Sequence, residues 1–232
     1  MKSNNWNNKN ILITGGTSGL GRALALQLEN SGANVAIVAR TQKKIESLTK
    51  EHPRLIGIQG DVSKKEQIYP IAGQVQSRLG DVDILFNVAS ELGATPLRLL
   101  IDTECEDFES VLQTNLLGPF RLTKALLPAM LLKRQGIVVN ISSDAAINPY
   151  PKWGAYGTSK AAIDQLSRIF NEELKDQGIR FLSIDPGDMN TPMHFAAIPD
   201  ADPTQLRDPK DSASRILDLI TKEDFSLVRR GL

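Results

Sequence analysis

The sequence predicts an α/β protein, a doubly wound parallel sheet of about six to seven strands with helices on both faces. Three observations carry that expectation. Short apolar runs rich in Ile and Val alternate with amphipathic stretches almost from end to end. The runs are apolar at consecutive positions, as strands buried on both faces are. The links are short, and no repeat, low-complexity linker or charge block divides the chain of 232 residues. Residues 10–232 therefore read as one domain behind a polar tail, residues 1–9.

In chain order, ILIT (11–14) is the first expected strand, and it leads through TGGTSGLG (14–21) into an amphipathic helix over 20–30. NVAIVA (34–39) and LIGIQG (55–60) follow as strands, with helical patterns over 42–51 and 64–79. DILFNV (83–88) precedes a long helical pattern over 104–133. GIVVNIS (136–142) and IRFLSID (179–185) flank another over 155–177. Residues 186–209 break the rhythm with Pro186, Pro192, Pro199, Pro203 and Pro209, which discourage a long regular element. A long irregular segment inside a compact domain is usually functional, so 186–209 reads as a substrate-covering segment. A last helix is expected over 209–220, and FSLV (225–228) as a final edge strand.

Composition removes several classes of function. Lys plus Arg equals Asp plus Glu at 27 each, so no bulk charge favours nucleic acid or an anionic membrane. One cysteine (Cys105) and two histidines (His52, His194) make a zinc site improbable and exclude an intrachain disulfide. Cys105 reads as a packing or helix-start residue rather than a nucleophile. The polar start MKSNNWNNKN lacks a signal peptide's apolar core, and no apolar run is long enough to span a bilayer, which points to the cytoplasm.

Gly15, Gly19 and Gly21 form GxxxGxG between the first strand and its helix. Glycines there permit a tight turn, close approach of backbone to a ligand, and packing of helix on strand. The helix N-terminus offers unpaired N–H groups and a positive dipole end to a pyrophosphate. A dinucleotide site in a Rossmann-type fold is the expectation. Further along, Tyr156 and Lys160 in YGTSK stand four apart, on one face of a helix. An ammonium beside a phenol pulls the phenol's pKa down from about 10, making it a proton donor and acceptor nearer neutrality.

These segments together resemble the short-chain dehydrogenase/reductase family over nearly the whole chain. TGGTSGLG is similar to the family's TGxxxGxG loop, and GDV (60–62) to its adenine-contacting aspartate. TNLLG (114–118) supplies the family asparagine, ISS (141–143) the serine thirteen residues before the tyrosine, and PGDMNT (186–191) the segment over the nicotinamide. NVAS (87–90) departs from the family's common NNAG, with Ser90 where glycine's freedom is usual.

The resemblance implies a catalytic set of Asn115, Ser143, Tyr156 and Lys160. Tyr156 moves the proton, Lys160 lowers its pKa and binds the nicotinamide ribose, Ser143 holds the substrate oxygen, and Asn115 binds a water linking Lys160 to solvent. Ser142 is the neighbour most easily confused with Ser143, and spacing favours the latter. Cofactor contacts are implied for Gly15, Thr17, Ser18, Gly19, Leu20, Gly21, Asp61, Val62, Asn87, Ala89, Tyr156, Lys160, Pro186, Gly187, Met189 and Thr191. At the end of the second strand Ala39 replaces the acid that would favour NAD, and Arg40 follows, so Arg40 is expected to hold the 2′-phosphate of NADP(H), with Arg22 as a second charge.

The expected activity is NADP(H)-dependent hydride transfer between nicotinamide and a small-molecule carbonyl or secondary alcohol. A 3-oxoacyl thioester reductase is the alternative within the class, and a non-catalytic dinucleotide-binding sensor or scaffold the alternative outside it. His194 is expected to face solvent, Asp144 to bond locally, and Trp153 either to wall the pocket or to pack. Met193, Phe195, Ile198 and Leu206 suggest an apolar lid. The resemblance implies a homodimer or homotetramer, with Leu112, Leu116, Leu122, Ala162, Leu166 and Phe170 as stripes needing cover.

Overall fold

The computed structural model describes residues 6–222 and 228–232. Seven parallel strands form one sheet in the order β3-β2-β1-β4-β5-β6-β7. They are β1 (Asn10–Thr14), β2 (Asn34–Ala39), β3 (Ile56–Gln59), β4 (Ile84–Asn87), β5 (Gly136–Ile141), β6 (Ile179–Asp185) and β7 (Arg229–Gly231). The helices are α1 (Gly19–Asn30), α2 (Gln42–Glu51), α3 (Ile68–Arg78), α4 (Cys105–Leu112), α5 (Gly118–Lys133), α6 (Gly154–Leu174), α7 (Pro192–Ala197) and α8 (Pro209–Thr221).

Strand alternation sorts the core onto two faces. Ile11 and Ile13 of β1 join Leu24 and Leu28 of α1 and Ile216 of α8 on one side. Leu12 joins Ile71 of α3, Leu122 of α5 and Phe181 of β6 on the other. Phe170 of α6 stacks on Phe181 there, ring centroids 4.9 Å apart. Both faces are covered, which is why the strands read as unbroken apolar runs. The order of strands reverses between β1 and β4, and a crevice opens at their carboxyl ends at such a switch.

The tail is not all tail: Trp6 is 5% exposed within the core, and Asn8 N–H donates to the Gly32 carbonyl at 3.2 Å. The last strand among the described residues is Arg229–Gly231, and the expected strand over 225–228 lies, apart from Val228, outside the described residues. Segment 186–209 holds no long regular element, as expected, only one short helix, α7, and a 3₁₀ turn (Pro203–Gln205).

The long helix over 104–133 is two helices joined by a π turn, Gln113–Leu117. A π turn takes more residues than an α turn, so the apolar stripe slips in phase across it. Leu122 consequently enters the core at 0% exposure, while Leu112 and Leu116 stay half-buried on the outside. Cys105 is the first residue of α4 and is exposed, a helix-start residue and not a packing one.

Candidate active site at the strand switch

The crevice is a cleft of about 520 Å³ running from the end of β2 to α7. Its floor is the glycine loop, closed against β4. Gly15 has φ +70°, and a Cβ on it would sit 3.0 Å from the Ala89 backbone. A Cβ on Gly21 would lie 2.4 Å from the Gly15 carbonyl oxygen, so only glycine lets α1 start this close. Thr14, which the motif reading passed over, anchors the junction: its hydroxyl accepts from the Val88 and Ala89 N–H groups at 3.0 and 3.1 Å. The first turn of α1 carries no acidic residue, and the N-cap Ser18 makes no side-chain cap, so the helix's first N–H groups remain available at the cleft. Thr17, Ser18, Gly19, Leu20, Ala89 and Thr191 also line it, with Thr191 facing Gly19 across the opening.

At the β2 end the lining includes Ala39, Arg40, Thr41 and Lys44. Arg40 is exposed, and its guanidinium has no partner among the described residues. Arg22 does not reach the cleft lining and lies 3.8 Å from Glu51. Lys44 of α2, missed in the sequence, supplies the second cation there; its position four residues after Arg40 was the available signal. Asp61 and Val62 line the next part of the wall. Asp61 Oδ1 accepts from the Ser63 N–H and hydroxyl at 2.9 and 2.7 Å, which fixes that carboxylate.

Two expected site residues lie beneath the cleft rather than in its lining. Asn87 is 4% exposed and donates from Nδ2 to Asn140 Oδ1 at 2.8 Å, a tie between β4 and β5. Asn115, 2% exposed in the π turn, uses its whole side-chain amide on protein. Nδ2 donates to the Glu91 carbonyl at 2.8 Å and to Ser159 Oγ at 3.0 Å; Oδ1 accepts from the Glu91 N–H at 2.8 Å and the Ser90 hydroxyl at 3.2 Å. An amide offers two donors and two acceptor sites, so the expected water would have to sit on the Asn115 backbone carbonyl and not on its side chain. Ser90, the departure from the family pattern, is part of what fills that side chain's capacity.

Ser143, Tyr156 and Lys160 do converge. The Ser143 hydroxyl donates to Asp144 Oδ1 at 3.0 Å and accepts from the Ala145 N–H at 3.2 Å, while the Tyr150 hydroxyl donates to Asp144 Oδ2 at 2.7 Å. Asp144 is thus a local partner, as expected. Ser142 is 1% exposed and its hydroxyl has no hydrogen-bond partner among the described residues. Lys160 Nζ donates to the Ile141 carbonyl at 2.8 Å and lies 5.3 Å from the Tyr156 ring centroid. Burial lowers the Lys160 pKa to about 8, with Asp164 opposing. The Tyr156 phenol is not pulled down as the i, i+4 pairing suggested. Burial pushes it well above the usual phenol range; hydrogen bonding with Ser143 pulls it back, and Asp185, Asp144 and Asp188 push it further up. Desolvation of a phenolate outweighs the nearby ammonium.

Trp153 walls the cleft, its ring edge-on to Tyr156 at 5.6 Å. Pro186, Gly187, Met189, Met193, Ala197 and Ile198 cover the same end, whereas Phe195 and Leu206 stay out of the lining. His194 does not face solvent: its side chain is 12% exposed, lines the cleft and lies 3.8 Å from Asp188.

A family model described as short chain dehydrogenase matches residues 9–201. The chain belongs to the short-chain dehydrogenase/reductase family. Among relatives of this chain, a short chain dehydrogenase of Pseudocercospora fijiensis is 36% identical over 190 residues, 79% of this chain and 60% of that protein. The chain thus spans less than two thirds of that relative's length. A 3-oxoacyl-[acyl-carrier-protein] reductase of Thermotoga maritima is 33% identical over 189 residues, 80% of this chain and 76% of that one. Among solved structures, a short chain dehydrogenase from Escherichia coli complexed with NADPH superposes with a TM-score of 0.89 at 25% identity, covering 100% of this chain and 99% of that one. The dehydrogenase fold extends beyond the family match, through α8 to β7.

Proposed function

We propose that this dehydrogenase transfers hydride between NADP(H) and a small-molecule carbonyl or secondary alcohol. The observation that carries the reading is the convergence of Ser143, Tyr156 and Lys160 in the same cleft as an uncapped, glycine-approached helix N-terminus. That geometry fits a dinucleotide: Gly15 and Gly21 leave no room for a side chain, and Arg40 is a free guanidinium where a 2′-phosphate would lie.

When bound, the nicotinamide supplies or accepts hydride at carbon. The protein's own residues handle the oxygen and its proton. A raised phenol pKa keeps Tyr156 protonated at neutral pH, the state required of a general acid in reduction. Ser143, held by the Ala145 N–H, would hydrogen-bond the substrate oxygen beside Tyr156. Lys160, charged below about 8, would hold the nicotinamide ribose and the field around the phenol. Burial has depressed that lysine's pKa, so its charge is present below about 8 and lost as pH rises through it. Reductive kcat/KM should therefore hold through neutral pH and fall above about 8, as a pH–rate profile would show.

The direct test follows the near-ultraviolet absorbance of NADPH with 4-nitrobenzaldehyde, diacetyl, ethyl acetoacetate and an acetoacetyl thioester of N-acetylcysteamine. Turnover of any supports the oxidoreductase. Exclusive use of the thioester would favour the 3-oxoacyl reductase that the Thermotoga maritima relative is named as. NADPH binding without turnover of any compound would favour a sensor or scaffold.

Residues 186–209 serve as the covering segment in this reading, since Met189, Thr191, Met193, His194 and Ile198 line the cleft. We place the protein in the cytoplasm, which suits the exposed thiol of Cys105; among the described residues no helix is long and apolar enough to cross a membrane. Leu112, Leu116, Ala162 and Leu166 are half-buried and Ile169 is 46% exposed, an apolar strip on α4–α6 that a second copy would cover. A homodimer or a homotetramer is expected by light scattering at micromolar concentration. A monomer would refute both.

A further inference from the structure

One buried cation behind the cleft has no part in the chemistry above. Arg229 of β7, its side chain 17% exposed, reaches three pieces of the site at once. Nε donates to Asp164 Oδ2 at 2.7 Å, and Nη2 donates to the Ser143 carbonyl at 3.0 Å. Nη2 also lies 3.8 Å from Asp185 Oδ2. Asp164, 3% exposed, sits one helical turn beyond Lys160 on α6, and its other oxygen accepts from the Ser183 hydroxyl. Asp185 ends β6, and its Oδ1 accepts from the Gly187 N–H at 3.0 Å, at the root of the covering segment. One guanidinium thus joins the strand end carrying Ser143, the helix carrying Tyr156 and Lys160, and the turn into residues 186–209.

We propose that Arg229 is a positioning residue of the catalytic centre, setting Ser143 against Tyr156 and Lys160 by holding the Ser143 carbonyl and Asp164 together. The proposal rests on the reading of Ser143 given above. A planar guanidinium presents its donors at fixed angles, so bonds to two groups fix their separation; an ammonium has no such fork. The Ser143 carbonyl belongs to the residue whose hydroxyl meets the substrate oxygen in that reading, so a shift in one moves the other. Misplacement by about 1 Å is enough to cost about 10²-fold in rate. Arg229 also neutralises Asp164, which is buried where an unpaired carboxylate is costly.

The test is a double-mutant cycle of Arg229→Met and Ser143→Ala, read as kcat with NADPH and the best carbonyl of the panel, beside NADPH affinity. Arg229→Met should lower kcat by about tenfold or more and leave the NADPH Kd within about threefold. In the Ser143→Ala background the same change should cost less than about threefold, because the group it positions is gone. An equal loss in both backgrounds, or no loss in either, would overturn the proposal. If Arg229→Met does not fold, the cycle with Arg229→Lys decides by the same criterion, since lysine keeps the charge and lacks the fork. Wild-type kcat in Ser143→Ala alone would instead overturn the reading of Ser143. Loss in Ser143→Ala with none in the Arg229 variants overturns only the positioning role.

Discussion

Replacing Tyr156 with Phe should lower turnover by about 10²–10⁴-fold while leaving NADPH affinity nearly unchanged, the loss attributable to a missing acid–base group. Phe keeps the ring, so the edge contact with Trp153 at 5.6 Å and the approach of Lys160 survive. Only the hydroxyl is removed, and with it the proton that the substrate oxygen would receive. The buried phenol is a reluctant acid, which makes Ser143 and Lys160 the groups that must favour its ionised form as the proton leaves. Steady-state kcat on the purified variant, with an NADPH titration beside it, checks both halves. Turnover near the wild-type value would remove Tyr156 from the mechanism.

The second large effect is on cofactor choice. Wild type should use NADPH better than NADH, and Arg40→Asp should reverse the order. Hydrogen bonds to a charged group contribute about 1.5–3 kcal/mol, so losing Arg40 alone costs NADPH about tenfold to a hundredfold. Aspartate adds repulsion of the phosphate and an acceptor for the 2′-hydroxyl of NADH. Lys44, in the same part of the lining, should retain some NADPH use in the single variant. Measuring kcat/KM for both cofactors before and after the change decides it. A wild type preferring NADH would overturn the assignment and leave the reductase intact.

Six of the seven strands were legible because a parallel sheet covered on both faces needs consecutive apolar residues, and few other elements look like that. β7 was not, since RRG has no apolar signal and forms only against the edge of β6. Trp6 escaped because one aromatic among asparagines carries no period. The glycine loop and the Tyr156–Lys160 pair were readable as local patterns. What sequence spacing could not tell was which side of the sheet surface a polar group ends on. Asn87 faces Asn140 across β4–β5 under the cleft, and Asn115 turns its amide inward to Ser159, the Ser90 hydroxyl and the Glu91 backbone. His194 and Lys44 reach the cleft through the placement of α7 and α2, a tertiary matter. The direction of the Tyr156 shift was also tertiary, since the i, i+4 geometry contains the ammonium and omits the burial.

The π turn at Gln113–Leu117 bears on which changes in chain length this protein tolerates. An α-helix advances about 100° per residue, so removing one residue from the turn would regularise the backbone and rotate everything on one side of it by that angle relative to the other. Either Asn115 would leave Ser159 and Glu91, or Leu122 would leave the core. Side-chain substitutions at half-buried Leu116 or Leu117 pose no such choice. Leu116 and Leu117 should therefore accept exchanges of residue type far more readily than the turn accepts a single deletion.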